Sequence, residues 1–185
     1  MPQRIDLQRS VVSVPDADWP SAVVVYGGLY GWEGAWLLKQ IPPSLKSRLL
    51  FVLPKHYTAD CAACLDEVDK KLNIPITSYA LCGYSRGGIE VYRNLNTKPW
   101  KILGLIDPSA PTLGEFADDV LDTASDKVRC VYWVPNWGKT GYDGRVPRFA
   151  QHLRDLKVMM VEKATPHNVM PASFFQEFGQ ELLSM

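Results

Sequence analysis

The sequence has no surplus of charge of either sign: twenty Lys and Arg offset twenty Asp and Glu. A neutral chain carries no electrostatic footprint for nucleic acid or for an anionic membrane surface, so neither is expected as a partner. No apolar run approaches the ~20 residues that a membrane-spanning helix needs. Nor does an apolar stretch of signal-peptide length follow a basic start, so an unexported or already processed chain, cytoplasmic and without a membrane span, is expected. Internal repeats, low-complexity tracts and Ser/Gly linkers are missing too. The 185 residues suffice for one well-filled core and are short for two, which predicts one domain over 1–185.

Cysteine is sparse, at positions 61, 64, 82 and 130. Cys82 and Cys130 fall inside apolar, strand-like runs, where a free thiol behaves as a small core residue. Cys61 and Cys64 form a Cys-x-x-Cys, but a second pair for zinc is lacking and the motif lies in a helical stretch rather than after a strand. Reduced, structural thiols are the expected reading, and no metal is implied. Histidine is scarcer still: only His56, His152 and His167 are present. Any chemistry that needs an imidazole must use one of these three.

What the chain does contain is an alternation of two patterns. Unbroken apolar runs of strand length occur at Ala22–Tyr26, Arg48–Leu53, Ser78–Cys82, Ile102–Ile106, Val128–Val134 and Val158–Val161. Helical patterns lie around Gly34–Gln40, Ala59–Leu72, Arg86–Leu95, Leu113–Ala124, Arg145–Leu156 and Ala172–Leu183. Thr112 and Glu115 have capping-box spacing at the start of the fourth. Strands that are apolar throughout are buried on both faces. The pattern predicts an α/β fold, a three-layer sandwich with a mostly parallel central sheet of about six strands and helices on both faces. The segment Ile5–Val14 alternates loosely and could add an edge strand. Short connections leave no room for a large lid domain.

One run carries chemistry. Tyr79-Ala80-Leu81-Cys82-Gly83-Tyr84-Ser85-Arg86-Gly87-Gly88-Ile89 reads as a strand, a turn and a helix start. For a serine oxygen to stand clear of a sheet, the chain must reverse within about one residue, which forces strained backbone angles on the serine. The residues two before and two after then approach too closely for side chains, so glycine is needed at 83 and 87. The helix that follows aims its N–H groups and positive dipole end at the site. The bland alternative is a glycine-rich turn with an incidental serine; the strand before and the helix after favour a nucleophile.

With that context the chain resembles the α/β-hydrolase family from about Ala22 to the C-terminus. The resemblance implies a small single-domain serine esterase or lipase-like enzyme, with nucleophile, acid and histidine in that order along the chain. Ser85 is then the nucleophile. His167, after the last strand, is the general base; His152 lies mid-helix among polar residues, and His56 could line the pocket. Asp143, followed by Gly144-Arg145-Val146-Pro147, is the favoured acid, and Asp107, directly after the preceding strand, is its competitor. The oxyanion hole would take the N–H of Arg86 and one from the loop Gly27-Gly28-Leu29-Tyr30-Gly31, Leu29 first and Gly28 second.

Aromatic residues gather on the same loops, and Tyr30, Trp32, Tyr84 and Trp137 are the candidate walls of an apolar cleft. The partner implied is a small acyl ester or lipid-like molecule, with no cofactor; thioester or amide cleavage would use the same machinery. The rival reading is a catalytically inactive α/β-hydrolase-like module for binding or structure, since a fold alone does not settle activity.

Overall fold

The computed structural model describes residues 2–16, 22–27, 34–56, 60–107, 129–135, 159–163 and 165–185. Among the described residues eight strands form one sheet: β1 (Gln3–Asp6), β2 (Ser10–Val14), β3 (Ala22–Gly27), β4 (Leu50–Pro54), β5 (Ser78–Tyr84), β6 (Trp100–Ile106), β7 (Arg129–Pro135) and β8 (Met159–Lys163). Their order across the sheet is β1-β2-β4-β3-β5-β6-β7-β8. The six apolar runs are β3 to β8, all mutually parallel. The sheet exceeds the expected six strands because Ile5–Val14 is not one edge strand but part of a hairpin. β1 pairs antiparallel with β2, and β2 antiparallel with β4.

The described helices are α1 (Gly34–Gln40), α2 (Pro43–Lys46), α3 (Cys61–Leu72), α4 (Gly88–Asn94) and α5 (Met170–Leu183). The expected helices over 113–124 and 145–156 lie outside the described residues, as does the Thr112/Glu115 pair. The short α2, opened by Pro43 where a missing N–H costs nothing, did not show in the sequence pattern. α3 starts two residues later than expected because Asp60 caps it, its carboxylate accepting from the Ala63 N–H at 3.1 Å. It ends at Asn73, held in the left-handed region at φ 51°.

Alternation along the strands sends side chains to two cores. Val23, Val25, Val52, Leu81 and Leu103 pack with Cys61, Cys64, Leu65 and Val68 of α3 and Val91 of α4. Val24, Phe51, Leu53, Ala80 and Cys82 pack with Leu37 of α1, Leu45 of α2 and Phe174, Phe175 and Phe178 of α5. Each such Val, Leu or Phe side chain, removed fully from water, contributes roughly 1.5–3 kcal/mol before entropy is counted. The result is the three-layer α/β sandwich, and among the described residues there is no separate lid domain. No described helix is long and apolar enough to cross a membrane.

The strand order reverses between β3 and β5, since the chain passes from β3 outward to β4 and then back across to β5. Open α/β sheets bind ligands at such a switch point, beyond the carboxyl ends of the strands. Gly27 pairs with Gly83 there, so β3 ends beside the start of the Ser85 turn.

Candidate active site

β5 ends at Tyr84, which is still extended (φ −102°, ψ 135°). Ser85 then enters the left-handed region at φ 54° and opens a single 3-10 turn, Ser85–Gly87, that runs into α4. This is the sharp reversal expected of the motif, carried by a residue that pays about 1–2 kcal/mol for that conformation. The turn folds back tightly: a side chain on Gly83 would collide with the backbone of Gly87 and Gly88. Ser85 is half-buried and Arg86 exposed.

The neighbouring strand supplies the next group. Tyr84 is in register with Ile106 on β6, so Ser85 and Asp107 follow a matched pair at the same sheet edge. Asp107 also lies in the left-handed region, at φ 43°. Asp shares with Asn a tolerance for that region that bulkier residues lack. The Asp107 carboxyl is only 1% exposed, and its Oδ2 contacts Nδ1 of His167. Its other oxygen, Oδ1, is buried without a hydrogen-bond partner among the described residues.

His167 opens a 3-10 turn, His167–Val169, between β8 and α5. Its imidazole is 48% exposed, so it is held at Nδ1 while much of the ring stays open to solvent. One ring face lies on Tyr84, with centroids 4.7 Å apart and planes 27° from parallel. The Tyr84 hydroxyl donates to the main-chain oxygen of His167 at 3.1 Å. Behind Tyr84, the Trp36 ring of α1 sits at 5.8 Å.

Ser85, His167 and Asp107 thus come from the ends of β5, β8 and β6, at the carboxyl edge of one sheet. Asp143, the acid favoured on sequence grounds, lies outside the described residues, and the carboxylate found on His167 is that of Asp107. Gly28, Leu29, Tyr30, Trp32 and Trp137 also lie outside the described residues. His56 is exposed, just beyond β4. Tyr84 is 5% exposed and faces His167 and Trp36, a relation that nothing in the local sequence signals.

Cys61 and Cys64 are buried in the core under α3. Among the described residues no three His, Cys, Asp or Glu side chains gather as metal ligands would.

The chain has the α/β-hydrolase fold. The fluorophosphonate-binding serine hydrolase F of Staphylococcus aureus matches it with a TM-score of 0.69 at 10% identity, over 99% of this chain and 97% of that one. The esterase domain of a Rhodothermus marinus protein matches at 0.67 and 12% identity, over 100% and 97%. An S-formylglutathione hydrolase of Staphylococcus aureus gives 0.63 and 12%, over 94% and 90%. No protein-family model matches the sequence, and neither does any curated protein. At such identities the likeness carries the fold, and activity must be argued from the site.

Proposed function

We propose that the protein is a serine hydrolase that cleaves a carboxylic ester through an acyl-enzyme on Ser85. The observation that carries this reading is the buried Asp107 carboxylate on Nδ1 of His167, one strand away from a serine held at φ 54°. A histidine engaged at Nδ1 by a carboxylate offers Nε2 as its basic nitrogen. Ser85 Oγ gives its proton to that nitrogen as it attacks the acyl carbon, and Asp107 stabilises the imidazolium that results. The same proton passes to the leaving alkoxide as the ester C–O bond breaks. His167 then takes a proton from water as its oxygen attacks the acyl carbon, and gives that proton to Ser85 Oγ as the acyl–Oγ bond breaks and the acid leaves.

The Arg86 N–H, first after the nucleophile, is assigned to the oxyanion, with Leu29 or Gly28 supplying the second donor. Tyr30, Trp32 and Trp137 are assigned to the walls, which suits an acyl ester with an apolar part. Thioesters and amides fall within the same chemistry. The proposed cycle moves protons only among Ser85, His167, water and substrate, so it calls on no cofactor.

Labelling with a fluorophosphonate probe tests the reading. The native protein should label at Ser85 and Ser85→Ala should not; identical behaviour of the two would leave an inactive module. The acid is tested by separate replacements. Asp107→Asn should lower kcat by up to about 10⁴-fold through loss of the correct tautomer, while Asp143→Asn stays near the parent. The reverse outcome would return the acid's role to Asp143.

A further inference from the structure

We infer that Tyr84 is a positioning residue for His167, tying the plane of the base to the strand that carries the nucleophile. The kinetic part of this inference rests on the hydrolase reading; the structural part does not.

Contact at Nδ1 alone leaves an imidazole free to swing about that contact, and swinging moves Nε2. Half the ring is open to solvent, so packing cannot restrain it on that side. The backbone beneath it is a three-residue 3-10 turn that begins after Pro166, with no side chain capping its start. Tyr84 acts on both weaknesses. Its ring covers one imidazole face at 4.7 Å and near-parallel planes, which blocks the swing. Its hydroxyl donates to the His167 carbonyl oxygen, which also accepts the Met170 N–H that closes the turn. A carbonyl oxygen has two lone pairs, so both bonds can form together.

Tyr84 is itself well held. It is the last residue of β5, is 5% exposed, and has Trp36 at its side. Because it precedes Ser85 in the chain, a single rigid residue sets the strand end from which the nucleophile turns and the plane of the base. A side chain so engaged presents little surface to a substrate. The inference therefore moves Tyr84 from the cleft wall, where the sequence placed it, to the support of the base.

The test uses the full chain with Tyr84→Phe, which keeps the ring and loses the hydroxyl, and Tyr84→Leu, which loses both. In proton NMR, the ring C–H signals of His167, identified by their loss in His167→Gln, should lie upfield of those of an exposed histidine. Tyr84→Phe should keep that shift and Tyr84→Leu should abolish it. With p-nitrophenyl acetate, Tyr84→Leu should lower kcat by about 10²-fold at unchanged KM, as misplacing a reacting group does. Tyr84→Phe should lose about fivefold, the usual worth of one hydrogen bond.

A rise in KM at unchanged kcat would make Tyr84 a substrate contact and overturn the inference. So would parental kcat and unmoved His167 signals in both variants. If Tyr84→Leu fails to fold, absence of the upfield shift in the parent, or parental kcat in Tyr84→Phe, overturns it. Fluorophosphonate labelling of the parent separates the two proposals. No label at Ser85 refutes the hydrolase reading, and the ring signals then judge Tyr84 alone.

Discussion

Replacing Gly83 by alanine should damage the site out of proportion to the one carbon added. The new Cβ would stand 2.6 Å from the carbonyl carbon of Gly87 and 2.7 Å from the amide nitrogen of Gly88. Both are backbone atoms, so no rotamer change relieves the contact. The Gly87 carbonyl oxygen stands closer still, and ordinary van der Waals contact begins at 3.4 Å, so β5 and the turn must part by about 1 Å. Ser85 lies within the segment that has to move. A displacement near 1 Å at a reacting group costs about 10²-fold in rate, and overpacking of this kind costs about 1–3 kcal/mol in stability. Turnover of p-nitrophenyl acetate and urea denaturation measure the two effects separately. Gly179→Ala is the control: its Cβ would meet side-chain rather than backbone atoms, the Leu45 methyls at 3.0 and 3.1 Å, so a shift of a few tenths of an ångström relieves the contact. Alanine also suits the interior of α5 better by about 1 kcal/mol, so this variant should stay near the parent in both assays. Parental turnover and parental stability in Gly83→Ala would refute the argument that backbone approach makes glycine obligatory at 83.

Burial pushes the Cys82 thiol up to about 12. Its folded value therefore lies above its unfolded one, near 8.5, and its contribution is complete below the unfolded value. As pH rises from there toward 12 the unfolded thiol ionises while the folded one does not, so stability is lost. Cys82→Ala lacks this thiol, and its stability deficit should narrow by about 1.4 kcal/mol per pH unit above about pH 9; a deficit constant between about pH 8 and 10.5 would contradict it. Glu67 of α3 accepts from the Gln8 and Arg9 N–H groups at 3.0 and 2.9 Å, closing the β1–β2 turn. Glu67→Ala should cost about 1–2 kcal/mol and speed hydrogen exchange at Gln8 and Arg9, and unchanged exchange at both amides would show that the turn holds without it.

The parallel strands were readable because burial on both faces leaves an unmistakable trace: Ala22–Gly27 and Leu50–Pro54 are apolar nearly throughout. The N-terminal hairpin was harder to read. Gln3–Asp6 is a largely exposed edge strand, so its composition carries no burial signal. What holds it is an antiparallel register with β2 and a carboxylate from α3 more than fifty residues away. Long-range contacts of that kind do not appear in local patterning.

The site divides along the same line. The turn at Ser85 was legible because it is a local device: strand, glycine, strained serine and helix all lie within eleven residues. The place of His167 between the last strand and the last helix was legible from the order of the patterns; its contact with Asp107 was not. The acid is a different matter, because two aspartates follow two adjacent strands and spacing alone cannot say which one turns toward the histidine. Register can. Pairing of Tyr84 with Ile106 brings Asp107 to the sheet edge level with Ser85, and both residues leave their strands through left-handed conformations. On the neighbouring strand Trp133 pairs with Ile106, so a residue from that strand reaches the same level only one position later, whereas Asp143 lies ten residues on. An acid that arrives directly from its strand end needs no loop to carry it back. This favours Asp107, buried on Nδ1 of His167, over Asp143, and it makes the paired Asp→Asn experiment a test of strand register as much as of chemistry.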